Sequence, residues 1–206
     1  MLRTSLAASA AALALTFGAA GQTAFAQTGD YARAAVANPQ QQRAMRFADA
    51  LGEAGGSLVI PLGGEADLAS RAAALSEDER ASITRALASA RFRYGARQTL
   101  SLRGIGAWDR ILIIGMGAER EIIDVQMTGA AAARTLLDEP GAVSVLASGM
   151  SAEIAAEFAT GMGIGEYRSD IYREDARDRD PLGATTIVGA ETGAQAIYAQ
   201  RGAALI

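Results

Sequence analysis

The chain has 206 residues and a net charge of −4, and its composition, 50% hydrophobic and 20% charged, excludes a disordered chain. It contains no Cys, no His and no Lys, while Ala alone contributes 48 residues. Without those three side chains it cannot form a disulfide, a Ser-His-Asp triad, a Walker phosphate loop or a lysine nucleophile. The acidic balance also argues against nucleic acid as a partner, because phosphate backbones are bound by concentrated basic surfaces.

The first 26 residues have the pattern of a cleavable export signal. A short positive start at residues 1–3 precedes an apolar run at residues 6–20, and Ala24-Phe25-Ala26 offers the small-residue spacing that a signal peptidase cleaves. The run is shorter than the roughly 20 residues that span a bilayer, so no stable membrane anchor is expected. These features predict an exported, periplasmic or secreted protein, with a flexible, polar leader at residues 27–42.

Strands and helices are predicted to alternate along the rest of the chain. Short apolar runs bounded by turn residues predict strands at residues 57–62, 98–102, 110–115, 142–147 and 185–188. Residues 45–51 fit either an edge strand or a short helix. Helices are predicted to begin at Ser76, Glu119, Ser151 and Ala194. This order predicts an α/β domain of three layers, in which helices flank a mixed or largely parallel sheet.

The helix predicted at residues 119–138 is expected to lie close to the sheet. Its small side chains at residues 130–133 would allow a close approach. Its apolar positions recur at helical spacing and form one face that is expected to be buried, consisting of Ile123, Met127, Ala130, Ala133 and Leu137.

Gly115-Met116-Gly117 follows the most apolar strand and precedes a helix, where doubly wound folds place phosphate-binding loops. The third glycine of the dinucleotide fingerprint is replaced by Arg120. The incomplete pattern favours a tight structural turn over a nucleotide site.

Three further segments have candidate chemistry, and each also has a structural interpretation. Gly161–Gly165 is rich in glycine but is interpreted first as a helix C-terminus. Glu153 and Glu157 are four residues apart and could share a helix face as two metal ligands, although a solvated face is the preferred interpretation. The mixed charges at residues 168–181 predict a solvated connector. No residue is therefore assigned a catalytic, cofactor-binding or metal-binding role.

The segments at residues 107–117 and 127–134 resemble the central strand, glycine turn and alanine-rich helix of the N-terminal domain of the leucyl aminopeptidase family. Residues 161–173 are similar to the family's glycine-then-Tyr-Arg segment, which precedes a charged loop. Residues 186–188 and the helix from Ala194 resemble the strand and linker helix that lead into the family's catalytic domain. The resemblance extends over roughly residues 45–206.

This resemblance implies a macrodomain-like N-terminal domain at residues 43–190 and the start of a linker helix at residues 191–206. Intact members are usually cytoplasmic homohexamers that use two divalent metal ions, Mn or Zn, to remove N-terminal residues from peptides. Their metal ligands and catalytic lysine lie in the C-terminal domain, in motifs around Asn-Thr-Asp-Ala-Glu-Gly-Arg, which this chain lacks. The resemblance thus implies a non-catalytic fragment, inactive alone and without a cofactor of its own, whose missing partner is the catalytic domain.

Two alternative functions stay open at this point. One is a self-standing macro-like module that binds a nucleotide or ADP-ribose at Gly115–Gly117. The other is a domain that serves only oligomer assembly.

Overall fold

Six strands and five α-helices alternate in the computed structural model, which describes residues 43–118, 121–166 and 182–202. The strands are β1 (Met45–Ala48), β2 (Ser57–Leu62), β3 (Thr99–Leu102), β4 (Arg110–Gly115), β5 (Val143–Leu146) and β6 (Thr185–Val188). The helices are α1 (Asp67–Arg71), α2 (Glu77–Ser89), α3 (Ile122–Thr135), α4 (Ala152–Gly165) and α5 (Ala194–Gly202), with a 3-10 turn at Ala72–Ala74. No helix among these residues is both long enough and apolar enough to cross a membrane.

The strands form one mixed sheet in the order β1-β6-β5-β2-β4-β3. Only β3 is antiparallel to its neighbour, β4, and the other pairs are parallel. Every residue of β2 is buried. A strand in the middle of a parallel sheet is covered by helices on both faces, which explains why its sequence is a continuous apolar run.

Alternating residues of the strands supply two separate cores, one on each face of the sheet. Val59, Leu112 and Val145 pack under α3 and α4 with Phe158 and Met162. The intervening positions, such as Ile60 and Ile113, pack under α1 and α2 with Ile83, Leu87 and Trp108. The result is the predicted three-layer α/β arrangement, with α3 and α4 on one face and α1 and α2 on the other.

Local sequence signals set the beginnings of two helices. The Ser76 hydroxyl accepts a hydrogen bond from the Glu79 N–H at 3.3 Å, and the Glu79 carboxylate accepts one from the Ser76 N–H at 2.9 Å, which is the predicted capping box of α2. Ser151 caps α4 without a reciprocal contact, its hydroxyl accepting a hydrogen bond from the N–H of Ile154 at 3.3 Å. Residues 45–48 are a strand, and the five-residue helix α1 was not predicted because it is too short to show a periodic pattern.

The predicted buried face of α3 is wrong at its N-terminal end. Ile123 and Met127 are 57% and 41% exposed, whereas Gly129 and most of the Ala residues after it are buried. The helix turns its small residues inward because α4 lies against them, and this close packing leaves the two large side chains in solvent. Residues 1–42, 119–120, 167–181 and 203–206 lie outside the described residues, so the predicted leader and charged connector are not described.

Candidate functional site

The loops that follow β2, β4 and β5 meet at one edge of the sheet, called here the carboxyl edge, because these strands are adjacent and parallel. In open α/β sheets, ligands bind outside this edge where neighbouring connections leave to opposite faces. The connection from β2 leads to α1 and α2 on one face, and those from β4 and β5 lead to α3 and α4 on the other. The Gly115–Gly117 turn lies at this edge, so the nucleotide interpretation can be examined there.

The backbone N–H groups of the glycine turn are all used within the domain. The N–H groups of Gly115 and Gly117 donate to the carbonyl oxygens of Gln98 and Tyr94, at 2.7 and 3.0 Å. The N–H of Met116 donates to the last carbonyl of β2 at 2.8 Å. A phosphate-binding loop presents free N–H groups to its ligand. None of these three is free, so the structure favours the interpretation of a structural turn.

The two glycines of the turn are required for different physical reasons. A Cβ at Gly115 would overlap the carbonyl oxygen of Gly95, so this position needs the absence of a side chain. Gly117 has φ +75°, a left-handed conformation that favours glycine, and its Cβ would lie 3.3 Å from the Cβ of Ala96. The segment at residues 94–97 therefore covers the turn and fills the β4 side of the carboxyl edge.

Arg71 fills the β5 side of the same edge. Its side chain is 2% exposed, and its Nε donates to the Pro61 carbonyl at 3.1 Å. Its Nη1 donates to the carbonyl oxygens of Ala147, at 3.4 Å, and Ser148. The guanidinium thus joins the ends of β2 and β5. Sequence reasoning missed Arg71, because its carbonyl partners at the end of β5 lie 76 and 77 positions away along the chain.

The segment Gly161–Gly165 forms the last turn of α4, as interpreted from the sequence, although the capping residue itself is Glu166. A Cβ at Gly161 would overlap the carbonyl oxygen of Gln126, and one at Gly165 would overlap that of Ala130. These glycines let the backbones of α3 and α4 touch. Their role is helix packing rather than ligand binding.

Glu153 and Glu157 share a face of α4, as their spacing predicted, but that face binds Arg201 of α5. The Nη1 of Arg201 lies 2.5 Å from Oε1 of Glu157, and its Nη2 lies 3.5 Å from Oε1 of Glu153. Gln126 donates from Nε2 to Oε2 of Glu157 at 2.6 Å. Glu157 is fully buried, so the expectation of a solvated face was wrong for that residue. The pair fastens α5 to the domain and is not available to a metal ion.

A second buried charge cluster, which sequence reasoning missed, lies where α4 ends and β1 begins. Arg43 and Glu166 are both about 2% exposed at their side chains, with Nε and Oε1 3.6 Å apart. The Arg43 N–H also donates to Oε2 of Glu166 at 3.0 Å, and Thr185 donates to Oε1 at 3.3 Å. Burial raises the pKa of Glu166 more strongly than Arg43 and Thr185 lower it. The two residues are 123 positions apart, so no local pattern could have indicated their contact.

Residues 43–118, 121–166 and 182–202 contain no group of three or more His, Cys, Asp or Glu side chains that could hold a metal ion. The one sequence candidate, Glu153 with Glu157, already forms ion pairs with Arg201. The described residues therefore do not fit the two-metal centre that the family resemblance implies for intact enzymes.

Comparison with known proteins gives matches over most of the described domain. The family model described as "Cytosol aminopeptidase family, N-terminal domain" matches residues 59–176, which is more than half of the chain. A probable cytosol aminopeptidase of Methylorubrum extorquens is 34% identical over 158 residues, covering 69% of this chain and 30% of the relative. A probable cytosol aminopeptidase of Methylorubrum populi is 33% identical with the same coverage.

A solved structure of a mutant of tomato leucine aminopeptidase has the same fold. The two superimpose with a TM-score of 0.53 at 18% identity, and the alignment covers 77% of this chain and 35% of the tomato chain. The chain spans only about 30% of the length of the two curated relatives.

The relatives also correct one prediction. Both are named cytosol aminopeptidases, so the prediction that residues 1–26 direct export to the periplasm or the medium is wrong. Ala makes up almost a quarter of this chain, and in such a composition a short apolar run that ends in Ala-x-Ala is a weak signal. The match to the N-terminal domain model over more than half of the sequence shows that the chain belongs to the cytosol aminopeptidase family.

Proposed function

We propose that the chain acts as the non-catalytic N-terminal domain of a metalloexopeptidase that removes N-terminal residues from peptides. The observation that carries this proposal is the closed carboxyl edge, where segment 94–97 and Arg71 occupy the two places at which an α/β sheet would bind a ligand. With that crevice filled, the domain offers packing surfaces instead of chemistry. The activity proposed for the whole protein is the one that the names of its family and relatives give, aminopeptidase.

The metal ions and the peptide site would then belong to a catalytic domain. The chain covers about 30% of each relative, and its described residues hold no suitable cluster of carboxylates. A two-metal hydrolase needs several converging ligands. We propose that a C-terminal catalytic domain supplies them, that Mn or Zn binds there, and that the intact enzyme is a homohexamer.

Helix α5 is the proposed connection between the two domains. Arg201, near its C-terminal end, is held by Glu153 and Glu157 of α4, and Tyr198 packs on Phe47 with ring centroids 5.6 Å apart. These contacts fix the direction in which the chain leaves the domain. The macrodomain-like arrangement that the resemblance implied is also part of this proposal.

A chimera tests the proposal directly. The matching N-terminal part of the M. extorquens relative is replaced by this chain, and the product is assayed with aminoacyl chromogenic substrates and Mn²⁺, Zn²⁺ or Co²⁺. We expect the chimera to be active and the 206-residue chain alone to be inactive with every metal. Metal-dependent turnover by the purified chain alone, after a control for contaminating peptidases, would place the active site in this chain and contradict the proposal.

The alternative of a nucleotide-binding module is tested by calorimetric titration of the chain with ADP-ribose and NAD. Because the three N–H groups of the turn are occupied, we expect no binding. Micromolar binding that disappears in Gly117→Ala, without a change in melting temperature, would favour the module instead.

A further inference from the structure

The large apolar side chains that the described part of the chain leaves exposed all lie on the layer formed by α3 and α4. Ile122, Ile123 and Met127 of α3 are 43%, 57% and 41% exposed, and Ile164 of α4 is 47% exposed. Ile123 and Met127 are four residues apart, so they lie one above the other on the outer side of α3. We call Ile122, Ile123 and Met127 the α3 patch.

The exposure of the α3 patch is fixed by the packing of the two helices. Gly129, Ala132 and Ala133 of α3 are turned inward and buried. A Cβ at Gly129 would overlap the carbonyl oxygen of Phe158, so rotating α3 to bury Ile123 would force a larger side chain into that contact. The core of this domain therefore does not use the patch, and a cluster of exposed apolar side chains is typical of an interaction surface.

Glu157 places the end of α5 beside the α3 patch. Its Oε1 lies 2.5 Å from Nη1 of Arg201, and its Oε2 accepts a hydrogen bond from Nε2 of Gln126 at 2.6 Å. Gln126 directly precedes Met127 in α3, and Arg201 directly precedes Gly202, the last residue of α5. The polypeptide that continues from Gly202 thus starts next to the patch.

We propose that the α3 patch is the surface on which the catalytic domain of the same polypeptide docks, an inference that rests on the function proposed above. The sequence at residues 203–206 is Ala-Ala-Leu-Ile, so an apolar stretch follows α5 at this place. Three apolar side chains are few for a stable dimer between separate copies, whose interface has about 20–30 residues on each side. A tethered domain needs less contact, because a short linker keeps it at an effective concentration in the millimolar range.

Oxidation of Met127 to its sulfoxide reports whether the patch is covered. The chimera described above, loaded with Zn²⁺, and the 206-residue chain alone are treated with hydrogen peroxide, and sulfoxide formation at each Met is followed by peptide mass spectrometry. The buried Met116, Met150 and Met162 are internal references. We expect Met127 to react about tenfold or more slowly in the chimera than in the chain alone, because oxidation follows exposure.

A patch variant, Ile122→Glu with Ile123→Glu, keeps Met127 as the reporter. Both positions are exposed and lie in the first turn of α3, where acidic side chains are favourable, so the chain alone should stay folded by circular dichroism. In the chimera this variant should restore fast oxidation of Met127. The control variant, Ala81→Glu with Ala88→Glu, makes the same charge change at exposed positions of α2 on the opposite face of the sheet and should keep Met127 protected.

Each contrary result has a distinct meaning. An active chimera in which Met127 reacts as fast as in the chain alone would overturn the docking proposal and leave the proposed function standing. A chimera without aminopeptidase activity would remove the proposed function and the docking proposal with it. Protection of Met127 that appears in the chain alone as its concentration rises would overturn the proposal in favour of a second copy. A control variant that loses protection as fully as the patch variant would also overturn it.

Discussion

Four glycines allow the effect of an added methyl group to be separated into backbone strain and steric overlap. Gly64 has an ordinary φ and open space around its Cβ position, and Gly104 has φ +73° with open space. Gly117 combines φ +75° with a contact at 3.3 Å, and Gly115 combines an ordinary φ with overlap onto the backbone of Gly95. Gly64→Ala therefore has neither strain nor overlap, Gly104→Ala tests backbone strain alone, and Gly115→Ala tests steric overlap alone. Gly117→Ala tests strain and a close contact together.

The expected changes in the free energy of unfolding follow from these environments. Gly64→Ala should be neutral or stabilising by a few tenths of a kcal/mol, because it only restricts the unfolded chain. Gly104→Ala should cost about 1 kcal/mol for the left-handed conformation alone. Gly117→Ala should cost about 1.5 kcal/mol, because the Ala96 methyl must also yield. Gly115→Ala should cost about 3 kcal/mol, because two hydrogen-bonded backbone segments must separate.

Urea unfolding followed by circular dichroism measures all four variants, with a constant slope against urea as the condition for comparing them. The order of the losses is the result that matters: Gly115→Ala, then Gly117→Ala, then Gly104→Ala, then Gly64→Ala. A Gly115→Ala variant no less stable than Gly104→Ala would refute the conclusion that segment 94–97 closes the turn. Equal stability of Gly104→Ala and Gly64→Ala would refute the assigned backbone strain.

The remaining predictions concern charges. Arg201→Ala should speed amide exchange at the end of α5. It should also lower the free energy of unfolding more than the double variant Arg201→Ala with Glu157→Gln, because the single variant leaves a buried carboxylate without its partner. Equal losses in the two variants would contradict the buried pair. Burial raises the folded-state pKa of Glu166 above its ordinary value, so the free energy of unfolding should fall as pH rises from that value through the raised pKa, and Glu166→Gln should remove this slope. Burial raises the pKa of Glu139, but the hydrogen bonds and positive charges of Arg103 and Arg110 lower it by more, so its folded-state pKa lies below the ordinary value. The stabilisation from Glu139 should therefore be lost as pH falls through its depressed folded-state pKa. When the free energy of unfolding of Glu139→Gln is measured over the same pH range, this loss should be absent.

Family membership and the order of the main elements were both available from the sequence. The strand at residues 110–115 was recognisable from its continuous apolar run, and the Ser76 and Ser151 caps depend on contacts within a few residues, so these patterns can be read locally. The resemblance around residues 107–137 led to the correct family for the same reason, since a strand, a glycine turn and an alanine-rich helix are contiguous. The export prediction used an equally local pattern and was wrong, because an alanine-rich chain produces that pattern without the function.

Only the tertiary structure decided what the candidate residues do. Gly115 needs its missing side chain because Gly95 approaches from another segment, and Glu157 is buried because Arg201 and Gln126 converge on it from two other helices. Arg43 and Glu166 meet across 123 residues. The sequence determines which residues favour a turn, a cap or a helix face. Which distant group contacts that place depends on how the layers pack. Such contacts close the carboxyl edge with residues 94–97 and Arg71, and they pair Glu153 and Glu157 with Arg201.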